Sequence, residues 1–272
     1  MGADDDDPAG GYWVRARDPA MVGVALSWAA GLDGSLARAP EASSERLLLS
    51  GPASLAMTHG LRAAHDAICV GRGTVAADDP RLTVRFAADG SPAAPATQPT
   101  AVVVDGALRT PPDCALLRQT ATGRRVVIAT AADGLGLPAS GRRERDASWY
   151  AARAARRAAL QGAGATILGI PGPSADLDLG AVLAALRDRC GVRSVFVEGG
   201  AAVLDGFLRR RDLVDEVVVT IAPCFVGGLR APRAPLDDAR LERVETAALG
   251  DDVVVRGRFP RGAPADAPSN DF

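Results

Sequence analysis

Residues 194–204 read Ser-Val-Phe-Val-Glu-Gly-Gly-Ala-Ala-Val-Leu, and this stretch decides the fold of the chain. Ser194–Val197 has the apolar character of a buried strand, whereas Ala201–Arg210 has the composition of a helix. Only Glu198-Gly199-Gly200 separates the two. A strand that passes into a helix through so short a glycine turn is typical of α/β proteins, in which helices cover a parallel sheet.

The rest of the chain continues this alternation of apolar strands and helical patterns. Because the strands are continuously apolar, we predict a mostly parallel sheet that is covered on both faces. After Glu216 no long helix separates the strands, which predicts an antiparallel edge. The other predicted strands are Met21–Trp28, Asp66–Gly71, Ala101–Asp105, Val126–Thr130, Ala165–Ile170, Glu216–Ile221 and Asp252–Arg256, and the other predicted helices are Ser50–Ala64, Asp146–Gln161 and Leu179–Arg189.

The 272 residues are enough for one large domain with a substantial core. We expect residues 1–20 and 262–272 to be flexible tails, because both are polar and poor in large apolar side chains. Residues 21–261 are then a single domain. Ala87–Pro99, rich in Ala and Pro, and Ala131–Arg145, rich in Gly and Arg, are predicted to be surface insertions.

The charge balance excludes several classes of function. With 31 basic and 33 acidic residues the formal net charge is −2, which provides no electrostatic footprint for nucleic acid or an anionic membrane. Every basic residue is an arginine. The absence of lysine excludes a P-loop lysine, a pyridoxal Schiff base and a lysine general base.

Cysteine usage and the termini indicate a compartment. The four cysteines contain no C-x-x-C pair, so we interpret them as reduced thiols. No apolar run approaches the roughly 20 residues of a membrane helix. The acidic, polar N-terminus is unlike a secretory signal. These features predict a cytoplasmic protein.

The first chemical motif is Val70-Gly71-Arg72-Gly73-Thr74-Val75-Ala76-Ala77-Asp78-Asp79-Pro80, which follows a predicted strand. Ligands of open α/β sheets bind at this edge. The glycines would let backbone amides approach a phosphate or a nicotinamide ring, with the Thr74 hydroxyl and the Asp78 carboxylate nearby. A tight turn with no ligand is the structural alternative, since G-x-G-T is not the dinucleotide fingerprint.

The second motif is the Glu198-Gly199-Gly200 turn. The start of a helix presents unpaired backbone amides, which bind the pyrophosphate of a dinucleotide. Glu198, at the end of its strand, would point into the same crevice. The structural alternative is a helix cap beside a surface glutamate.

Several charged residues lie around these two turns. Arg62, Arg81 and Arg85 flank the first motif, and arginine suits bidentate phosphate binding. Asp33 follows the first predicted strand. His59 and His65 are six residues apart, which does not place them on one helix face, so we predict no metal site.

The run LSGPASLAMTHGLRAAHDAICVGRGTVAADDPRLTVR, Leu49–Arg85, resembles the reductases of riboflavin biosynthesis. The runs Val102–Leu117 and Val195–Gly228 fit the same family, and the resemblance covers about residues 21–257. The pattern Met57–Ile68 is similar to the stand-alone fungal and archaeal branch. The zinc-deaminase motifs H-x-E and P-C-x-x-C of the bacterial fusion proteins are absent from the sequence.

The resemblance implies a fold similar to dihydrofolate reductase, a homodimer and an NADPH-dependent reduction. The implied substrate is 2,5-diamino-6-ribosylamino-4(3H)-pyrimidinone 5′-phosphate, whose ribosylamino side chain becomes ribitylamino. The positions that match the NADP contacts of the family are Thr74, Asp78, Ile170, Gly199, Gly200, Ala201, Ala202 and Val203. The positions that match its substrate contacts are Arg62, Leu82, Arg85 and Glu198, with the arginines implied to bind the 5′-phosphate.

The implied chemistry is hydride transfer to C1′ of the ring-opened imine. A nearby carboxylate would stabilise the protonated imine, and Glu198 and Asp33 are the candidate catalytic residues. Asp33 matches the aspartate of the family's S-L-D-G motif. The chain departs from the family at Ala30 and Gly31, which replace a glutamine and a serine, and at Ser35, which replaces a basic residue.

Three other functions remain open from the sequence. The same reduction on the deaminated substrate, 5-amino-6-(5-phosphoribosylamino)uracil, is the first. The second is an NADP-binding descendant without catalytic activity. The third is reduction of another carbonyl or a dihydropteridine-like compound, because one fold supports many reactions.

Overall fold

The computed structural model of the chain describes residues 21–39, 47–87, 90–93, 95, 97–132, 147–172, 177–231 and 239–260. Both predicted tails and most of the predicted insertion after residue 131 lie outside the described residues. No helix among the described residues has the length and apolar character needed to cross a membrane. All four cysteines are unpaired.

Strands and helices alternate along the chain, as the sequence predicts. The strands are β1 (Gly23–Gly31), β2 (Ser35–Ala37), β3 (Ala67–Gly71), β4 (Thr100–Val104), β5 (Val126–Ala131), β6 (Thr166–Ile170), β7 (Ser194–Val197), β8 (Glu216–Ala222), β9 (Leu229–Arg230), β10 (Glu242–Leu249) and β11 (Asp252–Arg258). The helices are α1 (Pro52–Ala63), α2 (Arg72–Asp78), α3 (Ala115–Arg118), α4 (Ala147–Gly162), α5 (Leu179–Cys190) and α6 (Ala201–Arg209).

Within the described ranges, nine of these strands form one sheet in the order β10-β11-β8-β1-β7-β3-β4-β5-β6. From β8 to β6 all neighbours are parallel, while β11 is antiparallel to β8 and β10 is antiparallel to β11. The predicted parallel sheet with an antiparallel C-terminal edge is therefore confirmed. The short strands β2 and β9 pair separately.

Helices cover both faces of the sheet. On one face α5 and α6 pack their apolar side chains, such as Leu186 and Phe207, against β1, β3 and β7. On the other face Leu61 of α1 packs near Phe196 of β7, and Leu160 of α4 packs against β4 and β5. Successive residues of each strand point alternately into the core on one face and the core on the other, which is why the strands are apolar throughout.

Helix α1 begins at Pro52, whose missing N–H costs nothing in the first turn. The preceding residue, Gly51, has no side chain that caps the helix. Its backbone N–H instead donates to Oδ2 of Asp252, the first residue of β11, over 2.8 Å. The antiparallel edge of the sheet thus anchors the start of α1.

Some elements differ from the sequence prediction. The glycine motif after β3 is not a loop, because α2 begins at Arg72 and includes Gly73. Strand β10 carries no apolar alternation, since its residues are exposed along almost the whole strand, and a sequence pattern therefore does not reveal it. β2 and β9 have three and two residues, which is too short for any periodicity.

Replacing Phe196 with alanine removes one of the two largest side chains that are fully buried in the described residues, and it leaves a cavity between β7 and α1. We expect the free energy of unfolding, measured by urea denaturation, to fall by about 3–5 kcal/mol. Phe225→Ala is the matched control, because Phe225 is 79% exposed and its removal leaves no cavity. Equal destabilisation by the two variants would contradict this description of the core.

Candidate functional site

The turns after β3 and β7 lie against each other at one edge of the sheet. The two strands are parallel neighbours, with Cys69 opposite Val197. The backbone N–H of Glu198 donates to the carbonyl of Cys69 over 2.9 Å, and the N–H of Gly71 donates to the carbonyl of Gly199 over 3.3 Å. The two motifs that the sequence singled out therefore form one structural unit.

Two glycines allow this close contact. Gly200 has a φ of +81°, and a Cβ there would lie 2.6 Å from Oγ1 of Thr74. A Cβ on Gly71 would lie 2.9 Å from Cγ2 of Val203. The N–H of Gly71 is bonded to Gly199, so this glycine admits a side chain of α6 rather than offering its amide to a phosphate. That corrects the role that the sequence suggested for Gly71, whereas an amide contact from Gly73, in the first turn of α2, stays a prediction.

The start of α6 is suited to an anion. The helix has nine residues, and its N-cap residue, Gly200, provides no side-chain hydrogen bond to the first turn. The N–H groups of Val203 and Leu204 donate to the carbonyl of Gly200, which leaves the first-turn amides of Ala201 and Ala202 for a ligand. Of the predicted cofactor residues, Thr74 and Gly199–Val203 are thus brought together.

The other two predicted cofactor residues lie farther out. Asp78 is the exposed last residue of α2. Ile170 ends β6, the edge strand, which is three strands from β3 and therefore about 14 Å away. Its side chain is only 1% exposed and belongs to the core. Cofactor contacts at Asp78 and Ile170 stay predictions.

Glu198 and Arg62, both predicted to bind substrate, form an ion pair. The Nη2 of Arg62 donates to Oε2 of Glu198 over 2.6 Å, and Nε donates to Oε1. The side chain of Arg62 is 12% exposed and that of Glu198 is 13% exposed. Nη1 of Arg62 also donates to the carbonyl of Thr83 over 2.9 Å. Glu198 is therefore not a surface glutamate, since α1 fixes both of its carboxylate oxygens directly beside the Gly199-Gly200 turn.

Residues 81–86, which we call the bridging segment, run alongside α1 and are hydrogen-bonded to its residues Arg62 and His59. The segment is neither helix nor regular strand, and side chains satisfy its backbone groups. Arg124 donates to the carbonyls of Arg81 and Leu82, and Gln98 bonds both the N–H and the carbonyl of Val84. The predicted substrate residues Leu82 and Arg85 lie within this segment. Leu82 is 4% exposed and has a φ of +50°.

His59 holds the far end of the bridging segment. Its Nδ1 accepts the backbone N–H of Arg85 over 3.0 Å, and its ring meets Phe86 edge to face. Burial, followed by the charges of Arg62 and Arg85, lowers the pKa of His59 to about 4, so the ring is a neutral acceptor at neutral pH. Its spacing from His65 gave no hint of this role. His65 bonds the carbonyl of Leu61 and stacks on Phe196.

A cavity of about 730 Å³ lies along the bridging segment, and its lining does not include Glu198 or the Gly199-Gly200 turn. Arg85 lies against it, with its guanidinium carbon 5.8 Å from the centre of the Phe86 ring. Arg81 and Arg118 also line it, and Nη2 of Arg118 donates to Oδ2 of Asp79 over 2.9 Å. The predicted phosphate-binding Arg85 therefore shares this cavity with two other arginines, one of which is paired with a carboxylate.

Asp33 occupies a different environment. Its carboxylate accepts hydrogen bonds from the N–H of Gly227 over 2.7 Å and from the Ser35 hydroxyl over 2.8 Å. These bonds hold the pKa of Asp33 far below its usual range. Val197 pairs with Leu26, and β1 then continues to Gly31, which places the turn that carries Asp33 roughly 13 Å beyond the level of Glu198. The structure does not bring the two predicted catalytic carboxylates together.

The departures from the family have local explanations. A Cβ on Gly31 would lie 2.7 Å from the carbonyl oxygen of Cys224, so a side chain does not fit there. The Ser35 hydroxyl donates to Asp33 and accepts the N–H of Gly228 over 2.9 Å. Gly31 ends β1 and Ser35 begins β2, on either side of the turn that Asp33 joins to Gly227, and neither contacts the Arg62–Glu198 pair.

Comparison with known proteins matches most of the chain to one family. The model of the RibD C-terminal domain family matches residues 23–255. A 2,5-diamino-6-ribosylamino-4(3H)-pyrimidinone 5′-phosphate reductase of Methanothermobacter thermautotrophicus is 36% identical over 85% of this chain and 95% of its own. The reductase of that name from Eremothecium gossypii is 32% identical over 87% of each chain. The solved structure of the Saccharomyces cerevisiae riboflavin biosynthesis reductase Rib7 superposes with a TM-score of 0.65 at 21% identity, covering 90% of this chain and 93% of that one.

Replacing Gly200 with alanine puts a side chain into the left-handed backbone and against Thr74. We expect a loss of about 1–3 kcal/mol in the free energy of unfolding, measured in urea. Gly73→Ala is the control, because nothing lies within 4 Å of its Cβ position and alanine favours a helix. That control is expected to be neutral or slightly stabilising. A Gly200→Ala protein as stable as the Gly73→Ala protein would refute the close contact of the two turns.

Proposed function

The chain belongs to the RibD C-terminal domain family, and we propose that it reduces 2,5-diamino-6-ribosylamino-4(3H)-pyrimidinone 5′-phosphate to the ribitylamino form with NADPH. The observation that carries the proposal is the ion pair between Arg62 and Glu198, which lies beside the Gly199-Gly200 turn. Groups expected to bind substrate and groups expected to bind cofactor are thereby adjacent. Relatives that carry the name of this reductase align along most of their length.

The turn at the start of α6 fits NADPH. Its N-cap has no side chain, its first amides are directed outward from the helix end, and a Cβ at Gly200 would fill the space against Thr74. Backbone amides there would hold a phosphate group of the cofactor, since a helix start favours negative charge. The residues that would hold NADPH are Thr74, Asp78, Ile170, Gly199, Gly200, Ala201, Ala202 and Val203.

The substrate would contact both Glu198 and the exposed Arg85 of the bridging segment. Arg85 would bind the 5′-phosphate, because its guanidinium lies at an arginine-lined cavity and a planar fork suits phosphate oxygens. Arg62 fixes the carboxylate of Glu198, and Leu82 lies between the two arginines along the sequence. The 5′-phosphate of the substrate would thus be held by Arg85, and the fixed carboxylate of Glu198 would orient its sugar.

The reaction consumes one hydride and one proton. The ribosylamine ring opens, so that the ring oxygen becomes a hydroxyl and C1′ forms a double bond to the side-chain nitrogen. NADPH, when bound, would supply the hydride, and solvent would supply the proton that the nitrogen takes up. Glu198 would stabilise the positive charge on the protonated imine. Asp33 is the second candidate, and the register of β1 favours Glu198 over it.

The proposed function also predicts the setting of the protein. On the resemblance to the riboflavin-pathway reductases, we propose that the chain works as a homodimer in the cytoplasm. Its only required partners are the phosphorylated pyrimidine and NADPH.

The decisive experiment mixes purified protein, NADPH and the diamino substrate, and follows the loss of NADPH absorbance together with the product. Turnover to the ribitylamino compound is expected. The deaminated uracil is supplied in parallel, and the ratio of kcat/KM values identifies the preferred pyrimidine. Binding of NADPH without turnover of either pyrimidine would replace this proposal with a non-catalytic NADP-binding protein or a reductase of another compound.

Replacing Glu198 with glutamine removes the negative charge beside the reacting carbon and weakens the bonds to Arg62. We expect kcat/KM to fall by at least about 30-fold, which corresponds to about 2 kcal/mol, whereas the Kd for NADPH changes less than twofold. Glu242→Gln, on the exposed strand β10, is the control and keeps normal kinetics. Unchanged turnover of the Glu198→Gln enzyme would remove this residue from the mechanism.

A further inference from the structure

We propose that Arg124 is a positioning residue for substrate binding, which it serves by holding the bridging segment in its binding conformation. No sequence motif singled out Arg124. The inference rests on the proposed function, since Leu82 and Arg85 of that segment are the residues expected to contact the substrate.

The side chain of Arg124 connects three parts of the chain. Its Nη2 donates to the carbonyl of Leu82 over 2.7 Å, and Nη1 donates to the carbonyl of Arg81. Nε donates to the carbonyl of Pro99, just before β4, over 3.0 Å. Nη1 also donates to Oε1 of Gln119 over 2.9 Å. A guanidinium is the one side-chain group that donates in a fixed plane to so many acceptors.

Arg124 is costly to bury, which indicates that its geometry is needed. The residue is 6% exposed, and in the described part of the chain its hydrogen-bond acceptors are carbonyl and amide oxygens rather than carboxylates. Burial, and then the charge of Arg62, lower its pKa to about 10, while Glu198 opposes that shift. Arg124 therefore stays charged at neutral pH. An isolated cation in the interior is unfavourable unless its hydrogen bonds serve a purpose that an apolar residue does not.

The backbone of Leu82 shows what those bonds maintain. A φ of +50° is the left-handed region, which is unfavourable for a leucine by on the order of 1–2 kcal/mol. The bonds from Arg124 to the carbonyls of Arg81 and Leu82, which lie on either side of the Leu82 Cα, oppose relaxation of this conformation. Thr83, Val84 and Arg85 follow directly, so a rotation at Leu82 would redirect all of them.

Arg124 thus acts on the substrate through main-chain geometry. Arg62, His59 and Gln98 hold the later residues of the bridging segment. Arg124 holds its start, together with Gln119, which donates to the carbonyl of Arg81 over 3.0 Å. If the segment relaxes, Arg85 leaves its place at the cavity while the turn at the start of α6 stays intact. Loss of this contact should therefore weaken substrate binding and spare NADPH binding.

The test compares Arg124→Lys with Arg125→Lys. Lysine keeps the charge at both positions and removes the planar fork. Arg125 is the matched control, because it is adjacent and exposed, and it donates to the carbonyl of Cys190 instead. We expect Arg124→Lys to raise the Kd of the diamino substrate, measured by calorimetry without cofactor, by about tenfold or more, with the Kd of NADPH changed less than twofold. Arg125→Lys is expected to change neither.

Hydrogen exchange tests the positioning without any ligand. Amide exchange of residues 83–85 should accelerate in Arg124→Lys and stay unchanged in Arg125→Lys. Gln119→Ala, which removes an acceptor of Arg124 and a donor to Arg81, should produce a smaller acceleration and serves if Arg124→Lys does not fold. Unchanged exchange overturns the inference, and so does a parallel weakening of substrate and NADPH binding, which would mark Arg124 as merely structural.

The outcomes also separate this inference from the proposed function. A wild-type protein that neither binds nor reduces either pyrimidine refutes the proposed function and the substrate role of Arg124 together, even where exchange is faster. A wild-type protein that turns over the substrate, with an Arg124→Lys enzyme of normal KM and kcat, refutes the role of Arg124 alone.

Discussion

The pairing of β3 with β7 is the constraint on which the site depends. These two strands are distant in sequence but adjacent in the sheet, and hydrogen bonds continue from their last residues into the turns that follow. Gly71 and Gly200 let those turns approach until Val203 and Thr74 fill the remaining space. After β7, the side chain of Glu198 lies on the α1 face of the sheet, whereas α6 begins on the opposite face. The two halves of the site thus share a single peptide turn.

The fold was largely predictable because apolar strands and helical periodicity follow from burial. Eight predicted strands and four predicted helices are present, and the antiparallel edge was inferred correctly from the missing helix after Glu216. The elements that were not predicted have no hydrophobic periodicity. Strand β10 is exposed, α2 falls within a glycine motif, and β2 and β9 are too short for periodicity.

The site was predictable in its residue types but not in its contacts. The glycine turns and Glu198 could be found because each follows a strand directly. That Arg62 and Glu198 bind each other depends on how α1 lies across the sheet, and no local spacing encodes it. Arg124 and His59 act on backbone groups from 25 to 43 residues away in sequence. A chain without lysine uses the planar fork of arginine for these tasks, since an ammonium group does not bridge several fixed carbonyls.

The position of β1 in the interior of the sheet, between β7 and β8, has a consequence for synthesis of the protein. Gly23 pairs with Ser194, and Ala25 pairs with Glu216, so β1 finds its neighbours only after most of the chain exists. At a translation rate of about 5–20 residues per second, the first strand waits roughly 10–35 seconds for its partner. Strands β3 to β6 pair in chain order and need no such delay. The nascent chain therefore assembles one half of its sheet first and carries an unpaired apolar strand until β7 emerges, which is the period in which it is most exposed to aggregation.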